Sequence, residues 1–187
     1  TGPLMVLAGA GSGKTRVVTR RIARLLREGV RGSEILAMTF TNKAAGEMAH
    51  RVQDFGGPFV RIATFHSACV RILRRDGHRL GYPSSFTIYD QADAVRLTGY
   101  VIRDKGLDAK RFPPRGVHGQ ISIWKNELVT PAQALVKADN PFTRKHAEVY
   151  VDYQARLAKA GAMDFDDLLM KTVQLFREHP DVLAHYQ

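Results

Sequence analysis

The stretch AGAGSGKT at residues 8–15 constrains this chain more than any other feature of its sequence. Its last three residues, Gly13, Lys14 and Thr15, match the end of the phosphate-binding loop pattern G-x-x-x-x-G-K-[ST]. Ala8 stands where that pattern has its first glycine. A methyl group fits there if the residue ends a strand, and the later glycines can adopt the torsions that a tight loop requires. The stretch therefore predicts a phosphate-binding loop.

The neighbouring sequence supports this prediction, because the loop follows the apolar run LMVLAGA and precedes an amphipathic helical pattern. In such a loop the backbone N–H groups and the helix N-terminus face the phosphates. Lys14 would reach the β- and γ-phosphates, and the Thr15 hydroxyl would bind Mg²⁺. The loop by itself does not choose among nucleotide kinases, GTPases, transporters and helicases.

The positive charge of the chain is concentrated in its first part. The formal net charge of the 187 residues is +10. Residues 1–80 contain 14 Lys and Arg against 5 Asp and Glu, whereas residues 81–187 contain 14 against 13. Such a concentration favours a polyanionic partner such as nucleic acid, and a merely solvated basic surface is the alternative.

Cysteine content and hydropathy restrict where the protein is expected to work. Cys69 is the only cysteine, so no internal disulfide can form and a reducing, cytoplasmic compartment is expected. No apolar run approaches the ~20 residues that a membrane span needs. The run TGPLMVLAGA has no basic leader, and it is interpreted as a strand and not as a signal peptide.

The order of predicted elements changes near residue 80. Apolar runs at residues 4–10, 34–40 and 59–65 alternate with helical patterns, which predicts an α/β fold with a parallel sheet flanked by helices. After the short strand candidate FTIYD at residues 86–90, helical patterns dominate. We therefore predict a P-loop NTPase core over residues 1–80 and an all-helical unit over residues 81–187.

Two of the predicted strands end in the dipeptide Thr-Phe. The residues of interest at these ends are Thr39, Phe40 and Asn42 after the second strand, and Thr64, Phe65 and His66 after the third. Ligands of open parallel sheets gather at the carboxyl ends of strands. An aromatic ring among short polar side chains suits a loop that grips a nucleic-acid backbone while the ring stacks on a base. The alternative for Phe40 is the core, which bulk statistics of phenylalanine favour. His66 is interpreted as a polar contact residue and not as a catalyst.

Six stretches, in this order, resemble UvrD/Rep/PcrA-type superfamily 1 DNA helicases: AGAGSGKTR, TFTNKAAGEM, TFHSACVRILRR, FTIYD, KNEL and MDFDDLLM. The resemblance covers essentially the whole chain. It implies a RecA-like first motor domain that is interrupted by an inserted helical subdomain. It also implies ATP and Mg²⁺ as cofactors, 3′-to-5′ movement on single-stranded DNA, and unwinding at single-strand/duplex junctions in DNA repair or replication.

The resemblance also assigns roles to individual residues. The implied nucleotide-site residues, of which Lys14 and Thr15 are catalytic and Thr15 holds the metal, are Ala10, Gly11, Ser12, Gly13, Lys14, Thr15, Arg16 and Arg51. The implied DNA contacts are Thr39, Phe40, Asn42, Thr64 and His66. The helical subdomain is also expected to touch DNA, with Trp124 and Lys125 as its weaker candidates, because a lone Trp on a helix more often belongs to the core.

The Asp-Glu motif with which this family holds Mg²⁺ and activates water does not occur in the sequence. In MDFDD, Asp164 is interpreted as the N-cap of a helix, with Asp166 and Asp167 in its first turn. The resemblance places the Asp-Glu strand after residue 187, the adenine-reading segment before residue 1 and a second motor domain elsewhere in a longer protein. We therefore expect this chain to bind ATP weakly and to turn it over negligibly.

Three alternative functions remain open on the sequence. A small-molecule P-loop kinase could use the helical half as a lid, but the paired Thr-Phe motifs argue against it. A DNA-binding or regulatory module could retain the loop without catalysis. A motor subunit of a helicase-nuclease would share all of these motifs.

Overall fold

The computed structural model describes residues 4–9, 11–55 and 60–187. Two compact units divide the chain, Thr1–Ala68 and Cys69–Gln187, and the division falls inside one helix. The predicted domain boundary near residue 80 stays a prediction. In the part of the chain that the structure describes, no helix has both the length and the apolar character needed to cross a membrane.

The first unit is built on two parallel strands with helices between them. Its elements are α1 (Lys14–Arg27), a 3₁₀ turn (Gly32–Glu34), β1 (Leu36–Thr39), α2 (Asn42–Gln53), β2 (Arg61–Thr64) and the start of α3 (Phe65–Asp76). Strand β1 pairs with β2 in parallel, from Leu36 opposite Arg61 to Thr39 opposite Thr64. This arrangement confirms the predicted alternation of strands and helices over residues 34–76.

One face of this small sheet carries the core of the first unit. Side chains alternate along a strand, so Ala37 and Thr39 are buried while Leu36 and Met38 stay exposed. The buried cluster consists of Ile22 from α1, Met48 and Val52 from α2, and Ile35, Ala37 and Val60 from the strand region. Helices α1 and α2 therefore pack together over the sheet.

The strand predicted at residues 4–10 is wrong over residues 4–9. Residues 4–9 form no strand, and Leu4, Met5, Val6 and Leu7 are between 51% and 87% exposed. A strand requires a neighbour to accept its backbone hydrogen bonds. The sheet of the first unit holds only β1 and β2 among the described residues, and neither pairs with this segment. Ala10 lies outside the described residues.

The second unit is mainly helical. Its elements are the remainder of α3, a 3₁₀ turn (Gly77–Leu80), β3 (Thr87–Tyr89), α4 (Gln91–Asp104), α5 (Pro114–Asn126), α6 (Pro131–Lys137), α7 (Pro141–Lys159), β4 (Ala162–Asp164), α8 (Phe165–Glu178) and α9 (Pro180–Tyr186). The predicted strand at residues 86–90 is confirmed as β3. The predicted N-cap Asp164 is confirmed, because it accepts a backbone N–H at the start of α8, and Asp90 and Thr130 do the same for α4 and α6.

The prediction that this half is all-helical is wrong. Strand β3 forms a parallel pair with β4, from Thr87 opposite Ala162 to Tyr89 opposite Asp164. Strand β4 has three residues, which is too few for a strand to be recognised by its period. Strand β3 precedes α4 and strand β4 follows α7. Because these two strands are paired, the two ends of the segment from α4 to α7 lie next to each other.

Candidate functional site: a phosphate loop and a paired strand end

The predicted phosphate loop ends in backbone torsions that glycine tolerates best. Gly11 has a φ of 72° and Gly13 a φ of 86°, and Gly13 is the N-cap of α1. A Cβ atom added at either position would meet nothing within 4 Å, so the space above the loop is open. Helix α1 begins at Lys14, and its first N–H groups therefore face this open space. The geometry suits an anion, because a helix N-terminus attracts negative charge.

Side chains of the loop bond to its own backbone. The ammonium of Lys14 donates to the carbonyl oxygens of Ala8 at 3.3 Å and Gly9 at 2.6 Å. The hydroxyl of Ser12 donates to the same Gly9 oxygen at 2.5 Å. Lys14 and Ser12 thus share the Gly9 oxygen as an acceptor. Thr15, in the first turn of α1, is half-buried.

The two arginines predicted beside the nucleotide lie on α1 and α2. Arg16 is exposed on the first turn of α1, and Arg51 is exposed near the end of α2. The guanidinium of Arg51 lies 4.0 Å from the carboxylate of Glu47, one turn earlier. Both arginines therefore remain solvent-accessible within the first unit.

The two Thr-Phe dipeptides lie side by side at the end of the sheet. Thr39 is the register partner of Thr64, so the phenylalanines that follow them are also neighbours. The rings of Phe40 and Phe65 have centroids 5.3 Å apart, inclined at 44°. Phe40 is 90% exposed and Phe65 is 36% exposed. The core alternative for Phe40 is therefore wrong, and the two rings form an exposed aromatic pair.

Threonine side chains shape the backbone around this aromatic pair. Thr41 accepts the N–H of Ala44 at 3.1 Å and so caps α2, whose first residue is Asn42. Thr64 accepts the N–H of Ser67 at 3.2 Å at the start of α3. The Thr39 hydroxyl donates to the Thr41 carbonyl at 3.0 Å. Two helix N-termini therefore meet the same edge of the sheet as the exposed rings.

The structure thus brings together most of the predicted strand-end residues. Thr39 and Thr64 are buried at the sheet edge, Asn42 is exposed at the start of α2, and His66 is half-buried on the first turn of α3. Sequence analysis did not assign a role to Phe65. The repeated Thr-Phe dipeptide after two successive strands was the available signal for it.

The expectation that Trp124 and Lys125 contact DNA is wrong. Trp124 is 7% exposed, and its ring stacks on Tyr150 with the centroids 5.9 Å apart. The Lys125 side chain is fully buried, with its ammonium 2.7 Å from Asp164 and 3.0 Å from Asp167. A side chain enclosed in this way cannot reach a ligand in solvent, and both residues serve the core of the second unit.

The acidic residues of MDFDD act inside the second unit. Asp164 accepts the backbone N–H of Asp167 at 2.8 Å and caps α8, as predicted. Throughout residues 4–9, 11–55 and 60–187, no group of three His, Cys, Asp or Glu side chains is placed to hold a metal ion.

The comparisons with known proteins give one consistent family. The family model described as "UvrD/REP helicase N-terminal domain" matches residues 1–187. Similar curated proteins include the ATP-dependent DNA helicases PcrA of Staphylococcus aureus (strain NCTC 8325 / PS 47), Bacillus subtilis (strain 168) and Staphylococcus epidermidis (strain ATCC 35984), at 50%, 48% and 49% identity. Each alignment covers all of this chain and 26% of the relative, so the chain spans about a quarter of the length of these proteins. The chain belongs to the UvrD/REP helicase N-terminal domain family.

Proposed function

We propose that this chain is the nucleotide-binding and strand-gripping part of an ATP-dependent helicase that moves on single-stranded DNA. One observation carries the proposal: the register of Thr39 with Thr64 places two exposed aromatic rings beside two helix N-termini. Rings that stack on bases and N–H groups that face phosphates are the two elements of sequence-independent single-strand binding. The relatives at about half identity are named as ATP-dependent DNA helicases, which agrees with this reading.

The nucleotide site of the proposal is the loop at residues 8–15 with the start of α1. ATP phosphates would enter the open space above Gly11 and Gly13 and face the N–H groups of the first turn. Lys14 would exchange the carbonyls of Ala8 and Gly9 for phosphate oxygens, which accept a stronger, charge-assisted bond. The same proposal places Ala10, Ser12, Arg16 and Arg51 around the nucleotide.

Thr15 would hold Mg²⁺ through its hydroxyl. A magnesium ion at such a site usually keeps several waters and takes one or two protein ligands plus phosphate oxygens. The position of Thr15 directly after Lys14, on the first turn of α1, supports this assignment. When bound, the ion would neutralise charge on the phosphates during their transfer.

The DNA site of the proposal is the paired strand end. Phe40 and Phe65 would stack on bases, because each ring exposes at least a third of its surface. The polar groups proposed to hold the sugar-phosphate backbone are Thr39, Asn42, Thr64 and His66. Movement in the 3′-to-5′ direction, action at single-strand/duplex junctions and a role in repair belong to the proposal for the longer protein.

The helical segment from α4 to α7 is proposed as an insertion into the motor domain. This proposal is supported by the β3–β4 pair, in which the strand before α4 lies beside the strand after α7. A segment whose two ends are neighbours can be inserted without disturbing the surrounding fold.

Binding of a fluorescent oligo(dT) to this chain tests the DNA site. Phe40→Ala should weaken binding by ~1–3 kcal/mol, the usual effect of losing one base–aromatic stack. Phe65→Ala should have a smaller effect, since its ring is less exposed. Val136→Ala is the matched control, because Val136 is 87% exposed in the second unit and has no role in the proposal.

Equal affinities of Phe40→Ala and Val136→Ala for oligo(dT) would contradict the proposed DNA site. A circular dichroism spectrum of each variant checks that the fold is retained, and the high exposure of both side chains predicts that it is.

A further inference from the structure

Helix α1 carries a line of arginines on its solvent side. The helix contains five arginines and one lysine, and three of the arginines lie beyond its first turn within a narrow arc: Arg20, Arg24 and Arg27. At about 100° per residue, these three side chains fall within about 60° of one another around the helix axis. We refer to Arg20, Arg24 and Arg27 as the arginine ridge.

The arginine ridge faces away from the core of the first unit. On the opposite side of α1, Ile22 is buried in the cluster that α2 and the sheet complete, and Leu26 packs against that cluster. All three arginines are exposed. The ridge therefore presents its guanidinium groups to solvent.

Little negative charge balances the ridge. Arg24 pairs with Glu28 at 2.6 Å, and both side chains of that pair are at least half exposed. No carboxylate within residues 4–9, 11–55 and 60–187 forms an ion pair with Arg20 or Arg27. The Arg20 guanidinium lies 6.0 Å from the centre of the Phe55 ring, which is 47% exposed. The ridge is thus a positive surface with one aromatic ring at its side.

The dimensions of the ridge fit a phosphate backbone. From Arg20 to Arg27 the helix rises about 10 Å, which is the axial length of about three phosphates on one strand of a duplex. Guanidinium groups offer planar pairs of N–H donors that match phosphate oxygens, whereas a lysine acts as a point charge. The charge of the ridge, the spacing of its arginines and their donor geometry therefore all fit a phosphate backbone.

From these features we infer that the arginine ridge binds the phosphate backbone of DNA, as a contact separate from the strand-end site. This inference rests on the proposed function only in taking DNA as the ligand. Contacts of this kind carry no sequence information, but they hold the protein on the strand and make its affinity depend on salt.

A salt titration of oligo(dT) binding tests the inference on this chain. The ridge variant is Arg20→Gln, Arg24→Gln and Arg27→Gln, since glutamine has nearly the same helix propensity as arginine. The control variant is Lys110→Gln, Lys159→Gln and Arg177→Gln, which removes the same charge from exposed positions of the second unit. Anisotropy is measured from about 50 to 200 mM NaCl, over which phosphate contacts weaken strongly.

The slope of log affinity against log salt concentration should be smaller in magnitude by up to about 2 for the ridge variant. Each phosphate contact on a single strand contributes about 0.7 to this slope, and the variant removes three of them. Replacement of the same arginines by lysine should restore the slope. The inference is overturned if the control variant lowers the slope as much as the ridge variant, because net charge alone would then explain the effect. It is also overturned if the ridge variant binds oligo(dT) with the same affinity and salt slope as the unmodified chain. That result is expected if the ridge binds an acidic protein.

Phe40→Ala separates this inference from the proposed function. That variant should weaken binding at every salt concentration and leave the slope unchanged, because it removes a stack and no charge. If Phe40→Ala binds normally while the ridge variant loses slope, the strand-end site fails and the ridge stands. If Phe40→Ala weakens binding while the ridge variant is unaffected, the ridge fails and the strand-end site stands.

Discussion

The ammonium of Lys125 lies 2.7 Å from a carboxylate oxygen of Asp164, and both side chains are at most 2% exposed. The same ammonium lies 3.0 Å from Asp167, so one cation is enclosed with two carboxylates. The Tyr153 hydroxyl donates to Asp164 at 2.7 Å, and the Gln154 amide donates to Asp167 at 3.0 Å. This buried network ties α5 and α7 to the start of α8.

Lys125→Met should destabilise the chain by about 3–5 kcal/mol, because it leaves two buried carboxylates without their cation. Methionine fills nearly the same space, so the change removes charge and little volume. Urea unfolding followed by circular dichroism measures the loss. Lys105→Met is the control: Lys105 pairs with the partly exposed Asp152 at 2.9 Å, and losing such a pair should cost less than about 1 kcal/mol.

A further variant keeps this prediction testable if Lys125→Met does not fold. Adding Asp164→Asn and Asp167→Asn removes the unpaired charges, and Asn still serves as an N-cap for α8. The triple variant should be more stable than Lys125→Met alone. An unfolding midpoint of Lys125→Met equal to that of the unmodified chain would show that the network does not need its cation.

The two carboxylates of the network respond to pH in opposite directions. Burial raises the pKa of Asp167, and the charge of Asp164 adds to this effect, against the opposing influence of Lys125. Burial alone would raise the pKa of Asp164 too, but Lys125 and the hydrogen bond from Tyr153 hold it below its usual range. Asp164 therefore stabilises the fold above the unfolded pKa of about 3.9, and this contribution disappears as pH falls through its lower folded pKa.

Asp167 should lower the free energy of unfolding as pH rises above about 4. Asp167→Asn should remove this contribution. Because the folded-state pKa of Asp167 is raised, the folded chain holds a proton that the unfolded chain releases near its pKa of about 3.9. The free energy of unfolding should thus fall as pH rises from there through the raised pKa. From about pH 4 to 7, the urea midpoint of Asp167→Asn should rise relative to that of the unmodified chain.

The exposed residue Asp139 supplies the control for this pH series. Asp139→Asn makes the same substitution at an exposed position, away from the buried network. Parallel curves for Asp167→Asn and the unmodified chain would contradict the assignment of the decline to Asp167.

Local signals in the sequence were sufficient for several helix starts and for the shared sheet edge of the two Thr-Phe dipeptides. Asp164 was predicted as a cap, and Asp90 and Thr130 carry the same signal, because a short polar side chain before a helical pattern bonds the free N–H groups there. The paired Thr-Phe motifs indicated one sheet edge, because parallel strands end on the same side. Sequence could not decide whether Phe40 was exposed, since that depends on which residues cover the edge.

The sequence did not predict features that depend on contacts between residues far apart in the chain. Strand β4 exists because Ala162–Asp164 lies beside β3, and three residues carry no period of their own. Lys125 was taken for a candidate DNA contact, whereas it is fully buried, as lysine almost never is unless it is paired. Its partners are Asp164 and Asp167, about forty positions further along the chain, and no local pattern connects them.

Leu128→Gly and Gly106→Ala should change stability in opposite directions. Both residues follow a helix in the left-handed conformation, with φ of 59° for Leu128 and 65° for Gly106. The hydrogen bonds are equivalent, because the next residue bonds back to the last helical turn in each case, Val129 to Trp124 and Leu107 to Ile102. Only glycine adopts this conformation without a steric cost.

We expect Leu128→Gly to raise the free energy of unfolding by ~0.5–1 kcal/mol and Gly106→Ala to lower it by ~1 kcal/mol, the cost of left-handed backbone for a residue with a Cβ. A Cβ at Gly106 would meet nothing within 4 Å, so the second change tests the backbone alone. Urea unfolding of the two variants measures both effects. Changes of the same sign would mean that side-chain packing at Leu128 outweighs its backbone strain.

Lys14→Ala should weaken ATP binding and leave DNA binding unchanged. The Lys14 ammonium already donates to the carbonyls of Ala8 and Gly9, so it lies against the loop that is proposed to hold the phosphates. Losing a hydrogen bond from a charged group costs about 1.5–3 kcal/mol, which is about a 10- to 150-fold loss of affinity. Titration with a fluorescent ATP analogue measures this loss, and oligo(dT) anisotropy should be unaffected because the proposed DNA site lies at the ends of β1 and β2.

Neither Lys14→Ala nor the unmodified chain should hydrolyse ATP at an appreciable rate. Phosphoryl transfer needs a placed metal ion, an oriented water and stabilisation of the developing charge. The sequence supplies Lys14 and Thr15 for the phosphates and the ion, but it contains no Asp-Glu pair to complete the metal site and activate water. Release of phosphate by the unmodified chain, stimulated by oligo(dT) and absent in Lys14→Ala, would mean that other carboxylates do this work. Asp164 and Asp167 are unsuited to it, because both are buried against Lys125.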